Sequence, residues 1–274
     1  MARLIVVSNR VAIPSSDGEN QAGGLAVAVR SLLKRHGGLW FGWSGTVAAD
    51  RDVTTRTLHQ GGLSYVVTDV AEVDYQEYYN GFANRVLWPI LHYRLDLAEF
   101  SRRDLSGYRR VNAHFANQLH DLLQDDDVVW VHDYHLIPLA KMLRDRGHGN
   151  RIGFFLHIPF PPPEILTALP NHEWLMPQLG AYDLVGFQTD NDAMNCARYL
   201  ENECRLQKRG DFVYQAPDRP VRVGVFLIGI ETGEFSRLAR RSIRSSLVRN
   251  VLDSLAGRAM MIGVDRLDYS KGLA

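Results

Sequence analysis

Short polar segments follow apolar runs along this chain: Ser8-Asn9-Arg10, His132-Asp133-Tyr134-His135, His157, Thr189-Asp190 and Asp265-Arg266. Cations, carboxylates and imidazoles together can bind a phosphate, orient hydroxyls and move protons. Each residue also has a plainer reading: Asp133 caps the next element, and His157 is a satisfied core histidine. In an open parallel sheet, however, ligands bind outside the carboxyl ends of the strands. As a set at one sheet edge, these residues point to a site. His132, Asp133 and His135 are zinc-ligand types, but His132 and Asp133 point to opposite sides if their strand runs through them. No metal is expected there. Asp125-Asp126-Asp127 precedes a strand and reads as a solvated turn.

Gly23-Gly24 stands just before a helical pattern. A glycine at a helix N-terminus lets a phosphate approach unpaired N–H groups. The spacing is not that of a dinucleotide fingerprint, and a plain turn fits equally well. Arg266 and Lys271 flank the loop Asp265–Gly272. Two cations near a helix start suit a diphosphate, although spacing alone slightly favours a solvated surface pair. Trp40, Trp43, Tyr78, Tyr79 and Trp88 cluster in the first third. Most belong in a core, and one at a cleft edge would stack on a sugar face. Neither a Walker loop nor a Gly-x-Ser-x-Gly elbow occurs.

The elements that must carry these residues alternate. Apolar runs predict strands at Arg3–Val7, Leu39–Trp43, Tyr65–Thr68, Val128–Val131, Ile152–Leu156, Leu184–Phe187, Val221–Leu227 and Ala259–Val264. Helical spacing predicts helices from Leu25 to Gly37, over Val73–Tyr93 with a break near Pro89, over Val111–Leu123, over Leu136–Arg146, after Thr189 and over Phe235–Leu255. Thr189 with Asp192 forms a variant capping box. The pattern predicts an α/β fold, a Rossmann-like parallel sheet with helices on both faces. The boundary falls after residue 230, leaving 231–274 as a linker helix and one strand-loop of an incomplete second domain.

Of 274 residues, 46% are hydrophobic and 23% charged, and 31 basic side chains balance 31 acidic ones. That is an ordinary globular composition, and neutrality argues against a nucleic-acid binder. The run Leu4–Val7 is too short for a signal-peptide core, and no apolar stretch approaches a membrane span. The cytoplasm is the expected location. Cys196 and Cys204 fall about 12 Å apart along a predicted helix, too far for a disulfide. The residues leave the oligomeric state open, a homo-oligomer included.

A resemblance adds to this. Ser8-Asn9-Arg10, Ala22-Gly23-Gly24-Leu25, the stretch Gly38–Gly45, Tyr78-Tyr79-Asn80, Leu87-Trp88-Pro89, the stretches Val131–Leu136 and Phe155–Pro161, and the loop Asp265–Gly272 together resemble the trehalose-6-phosphate synthase family. These are retaining glycosyltransferases with two facing Rossmann-like domains. The resemblance implies transfer of glucose from UDP-glucose to the anomeric hydroxyl of glucose 6-phosphate, without metal or other cofactor. It implies an acceptor site lined by Arg10, Tyr79, Trp88 and Asp133, with Arg10 on the 6-phosphate and Asp133 on sugar hydroxyls. It places the UDP diphosphate on the backbone of Gly23-Gly24 and on Arg266 and Lys271, with His157 beside the donor glucose. It also implies that the acceptor attacks the face the UDP leaves, and that the departing phosphate takes its proton. His157 and Asp133 are the candidate catalytic residues. Family members continue well beyond the Lys271 loop, so the chain resembles the acceptor-side domain plus the start of a donor domain. The competing readings are an inactive sugar-phosphate-binding module and a related transferase with another donor base.

Overall fold

Strands with no polar face need cover on both sides, and the computed structural model shows how these obtain it. It describes residues 2–13, 24–49, 53–60, 62–230, 232–265 and 267–272. The chain divides into two units, residues 1–227 and 228–274.

The first unit is built on β1 (Leu4–Arg10), β2 (Leu39–Ala48), β3 (Thr55–Gln60), β4 (Leu63–Ala71), β5 (Val128–His132), β6 (Arg151–Phe155), β7 (Leu184–Phe187), β8 (Gln207–Gly210), β9 (Val213–Gln215) and β10 (Pro220–Val225). Their order is β3-β4-β2-β1-β5-β6-β7-β10-β9-β8. Every pairing from β4 across to β10 is parallel; β3, β9 and β8 add antiparallel edges. Side chains alternate across the sheet. Ile5, Val7, Phe41 and Val66 pack into one core with Tyr108, Phe115 and Leu119 of the helix Arg102–Leu122. Val6, Trp40, Tyr65 and Val67 pack on the other face with Val29 and Leu33 of the helix Gly24–His36. No described helix is long and apolar enough to cross a membrane.

Departures from the sequence reading have local causes. The apolar pattern does not mark the edge strands β3 and β8, because TRTLHQ and QKRG bury no face. The helical stretch from Glu72 to Leu91 runs through Pro89 without a break. Most of it, Tyr75–Leu87, is a π-helix, and Pro89 sits at the start of the segment Trp88–Leu91. Near a segment start, a missing N–H matters least. Cys204 lies beyond the helix Asp190–Asn202 that holds Cys196, and both thiols are free.

In the second unit the single expected helix is two, Thr232–Ser242 and Ser246–Leu255, with Ser245 capping the latter through the Val248 amide. The expected strand Ala259–Val264 does not form among the described residues, and Met261, Ile262 and Val264 are exposed. A strand is held by the ladder to a neighbour, and an apolar β-branched run alone does not supply one. In place of the expected strand-loop there is an irregular segment that ends in the 3-10 turn Tyr269–Lys271.

The π-helix packs closely on Arg102–Leu122. A Cβ added at Gly107 would run into the Glu77 Cβ. Glu77 is buried there and accepts hydrogen bonds from Arg103 and Arg110. Burial alone would raise its pKa, but the bonds and charges of the two arginines outweigh that and hold it below the ordinary value. A depressed carboxylate pKa stabilises the fold above the unfolded value and loses that effect as pH falls through the folded one. Glu77→Gln is therefore expected to cost about 1–2 kcal/mol at pH 7, discounted because both arginines are largely exposed. Urea titrations should show the gap to wild type closing as pH falls below about 4.

Candidate functional site

The strand order reverses at β1: the chain steps outward through β2 and β4 on one side and through β5, β6, β7 and β10 on the other. A crevice at such a reversal is where open α/β sheets bind ligands. Val7 pairs with Val131, so Ser8-Asn9-Arg10 and His132-Asp133 leave the sheet side by side.

Ser8 is buried, accepting from the Trp40 indole at 2.8 Å and donating to the Arg10 carbonyl at 2.9 Å. Asn9 accepts from the Tyr78 hydroxyl at 2.7 Å, which ties β1 to the π-helix. Arg10 is exposed, with its guanidinium carbon 5.8 Å from the centre of the Trp43 ring. It makes no ion pair among the described residues. Gly45, at φ +91°, gives it room: a Cβ there would come within 2.8 Å of the guanidinium.

Asp133 follows β5 at φ 76° and ψ 163°, a conformation essentially reserved for glycine and worth about 1–3 kcal/mol of strain. Its backbone N–H donates to the Phe155 carbonyl at 2.8 Å. Its carboxylate accepts from the amides of Tyr134 at 3.2 Å and His157 at 3.4 Å. The carboxylate thus joins the ends of β5 and β6. It also caps the turn Tyr134–Leu136, so the plainer reading holds alongside the functional one.

Aromatic rings close one side. Tyr79 stacks on His135, with centroids 5.8 Å apart and planes 13° apart, and on Tyr75 at 5.5 Å. Trp88 lies 5.8 Å from Tyr134 and 4.1 Å from His92. Tyr134 donates to Asn84 at 3.1 Å. His157, beyond β6, approaches His132, the last residue of β5, with Nε2 to Nδ1 at 2.9 Å. Burial pushes His157 down to about 4 and His135 to about 3. Burial, then the neighbouring His157, pushes His132 well below the ordinary imidazole value. All three are neutral at pH 7. Among the described residues no group of three histidine, cysteine or acidic side chains is placed to hold a metal.

The structure therefore brings Arg10, Tyr79, Trp88, Asp133 and His157 to one sheet edge. Thr189 goes elsewhere: its hydroxyl accepts from the Asp192 amide and caps its helix. Gly24 is the first residue of its helix. Gly23 and Arg266 lie outside the described residues. Lys271 belongs to the second unit, 3.9 Å from Asp265. Sequence reasoning missed Tyr75, Asn9 as the partner of Tyr78, and the contact between His132 and His157. Tyr75 and Tyr79, four apart in a helical stretch, were the one readable signal.

A doubly wound sheet with a cationic and acidic cluster at its reversal is the framework of a nucleotide- or sugar-phosphate-handling enzyme, and the chain belongs to glycosyltransferase family 20, whose profile it matches over residues 2–274. It is 50% identical over 275 residues to the trehalose-6-phosphate synthase of Sinorhizobium fredii, covering 100% of this chain and 59% of that protein. Its fold is similar to that of a UDP-forming trehalose-phosphate synthase from Burkholderia xenovorans in complex with glucose-6-phosphate. There the TM-score is 0.92 at 45% identity, over 99% of this chain and 59% of that one. It is also similar to an Escherichia coli protein bound with UDP-2-fluoro glucose, with TM-score 0.90 at 46% identity, over 99% of this chain and 58% of that one. The chain thus spans less than two thirds of the length of these relatives.

Proposed function

We propose that this chain is the acceptor-binding part of a trehalose-6-phosphate synthase, transferring glucose from UDP-glucose to the anomeric hydroxyl of glucose 6-phosphate with retention and releasing UDP. The observation that carries the reading is the meeting of Arg10, Tyr79, Trp88 and Asp133 at the reversal of the sheet, in a chain half identical along its length to a synthase. On this reading Arg10 pairs with the 6-phosphate and Asp133 accepts from sugar hydroxyls, while Tyr79 and Trp88 wall the ring. Residues 1–230 form the acceptor side. Gly23, Gly24, Arg266 and Lys271 hold the diphosphate, and His157 lies beside the donor glucose. The setting is the cytoplasm. Calorimetric titration of the 274-residue chain tests it: glucose 6-phosphate should bind saturably and glucose should not. Equal or absent heats for both would refute it.

Two outcomes follow from the same geometry. Chelator treatment should leave glucose 6-phosphate binding unchanged, since cations of the protein rather than a metal meet the phosphate. Loss of binding on EDTA and recovery with zinc or manganese would overturn that. The 274-residue polypeptide by itself should also form no detectable trehalose 6-phosphate. Lys271 stands in a unit with no strand among its described residues and with exposed apolar side chains. Without a fixed frame for the donor, the proximity contribution to the rate is lost. A sensitive product assay checks this.

A further inference from the structure

His132 is fully buried, at 0% exposure, where the mechanism proposed above makes no use of it. Its Nδ1 lies 2.9 Å from His157 Nε2. Its other ring nitrogen, Nε2, is buried without any hydrogen-bond partner. Trp130 packs against the ring at 4.3 Å and Phe155 against His157 at 4.7 Å. A hydrogen bond between two neutral imidazoles needs one donor and one acceptor, so only two arrangements exist. If His157 donates, the His132 proton sits on Nε2 and an N–H is buried with no acceptor. If His132 donates from Nδ1, the buried Nε2 keeps a bare lone pair. Orphaned buried N–H groups are the rarer fault in folded proteins.

We infer that His132 is a positioning residue that donates from Nδ1 to His157 Nε2 and so fixes the His157 proton on Nδ1, turned toward the ligand. His157 is then a hydrogen-bond donor to an acceptor oxygen of the bound molecule, and it has no basic lone pair free to remove a proton. This agrees with its neutrality at pH 7, since its pKa is pushed down to about 4. It revises the catalytic assignment of His157: the side chain orients a substrate oxygen rather than acting as a base. The oxygen's identity, a hydroxyl of the donor sugar, rests on the proposed function. The tautomer does not, and it can be read with no substrate present.

The test is long-range proton–nitrogen NMR of the 274-residue chain carrying 15N-histidine at pH 7, with His157 assigned from His157→Gln. The expected pattern is a protonated Nδ1 and a bare Nε2 on both His157 and His132. A protonated Nε2 on His157 overturns the inference. His132→Asn keeps an N–H near the position of Nδ1 and should preserve the His157 pattern. His132→Leu removes it and should lower the His157 tautomer ratio about tenfold, the effect of one hydrogen bond. An unchanged ratio in a folded His132→Leu would show that His132 only fills space. If that variant does not fold, the wild-type spectrum still decides.

Discussion

Arg10→Ala lowers the affinity for glucose 6-phosphate roughly 30- to 150-fold, about 2–3 kcal/mol, the loss of a charge-assisted contact to phosphate. The fold should hardly notice. The guanidinium is exposed, lies over Trp43 at 5.8 Å and has no ion pair among the described residues. Its removal forfeits a cation–π contact worth about 0.5–1 kcal/mol. Titration calorimetry with a parallel thermal melt separates the two effects. Arg10→Lys should recover part of the affinity, because a point charge replaces a fork. An unchanged dissociation constant in Arg10→Ala would remove Arg10 from the phosphate site.

Asp133 gives the second large effect, with opposite signs for binding and stability. Asp133→Ala and Asp133→Gly both remove the carboxylate, and both should abolish detectable glucose 6-phosphate binding. They differ in the backbone. Alanine must still adopt φ 76° and ψ 163°, whereas glycine takes that conformation freely. Strain relief of about 1–3 kcal/mol, less the roughly 0.5–1 kcal/mol that glycine costs through its freer unfolded chain, leaves the glycine variant about 1–2 kcal/mol more stable than the alanine one. Urea unfolding of the pair measures this. Equal stabilities would mean that the strain is relieved some other way.

The central strands and their polar ends were legible because a doubly covered parallel sheet writes itself as short β-branched runs: Leu184–Phe187 matches residue for residue, and the Thr189–Asp192 cap is present. The edge strands were not, since they are polar and defined only by a neighbour. Arg10 and Asp133 could be placed at one sheet edge from pattern alone, because strand ends inherit their position from the strands. The strain at Asp133 could not, as nothing in the local sequence marks a positive φ on an aspartate. The bond between His132 and His157 depends on the β5–β6 pairing, which brings residues 25 apart together. The strand expected at Ala259–Val264 failed for the complementary reason: composition proposes a strand, but only pairing makes one.

The π-helix Tyr75–Leu87 has one more consequence. The Trp88 N–H at its end reaches back to Ala83, five residues rather than the four of an α-helix. Such winding is an α-helix that has taken in additional residues. Deleting one would let a turn close to ordinary α geometry without breaking the helix, but would swing every later side chain by about 100°. Depending on where the deletion fell, Tyr79 would leave His135 or Asn84 would leave Tyr134. Chain length, more than residue identity, is then the heritable variable in this stretch. Single-residue insertions and deletions, which most proteins confine to loops, would here redraw one wall of the site while leaving the helix intact.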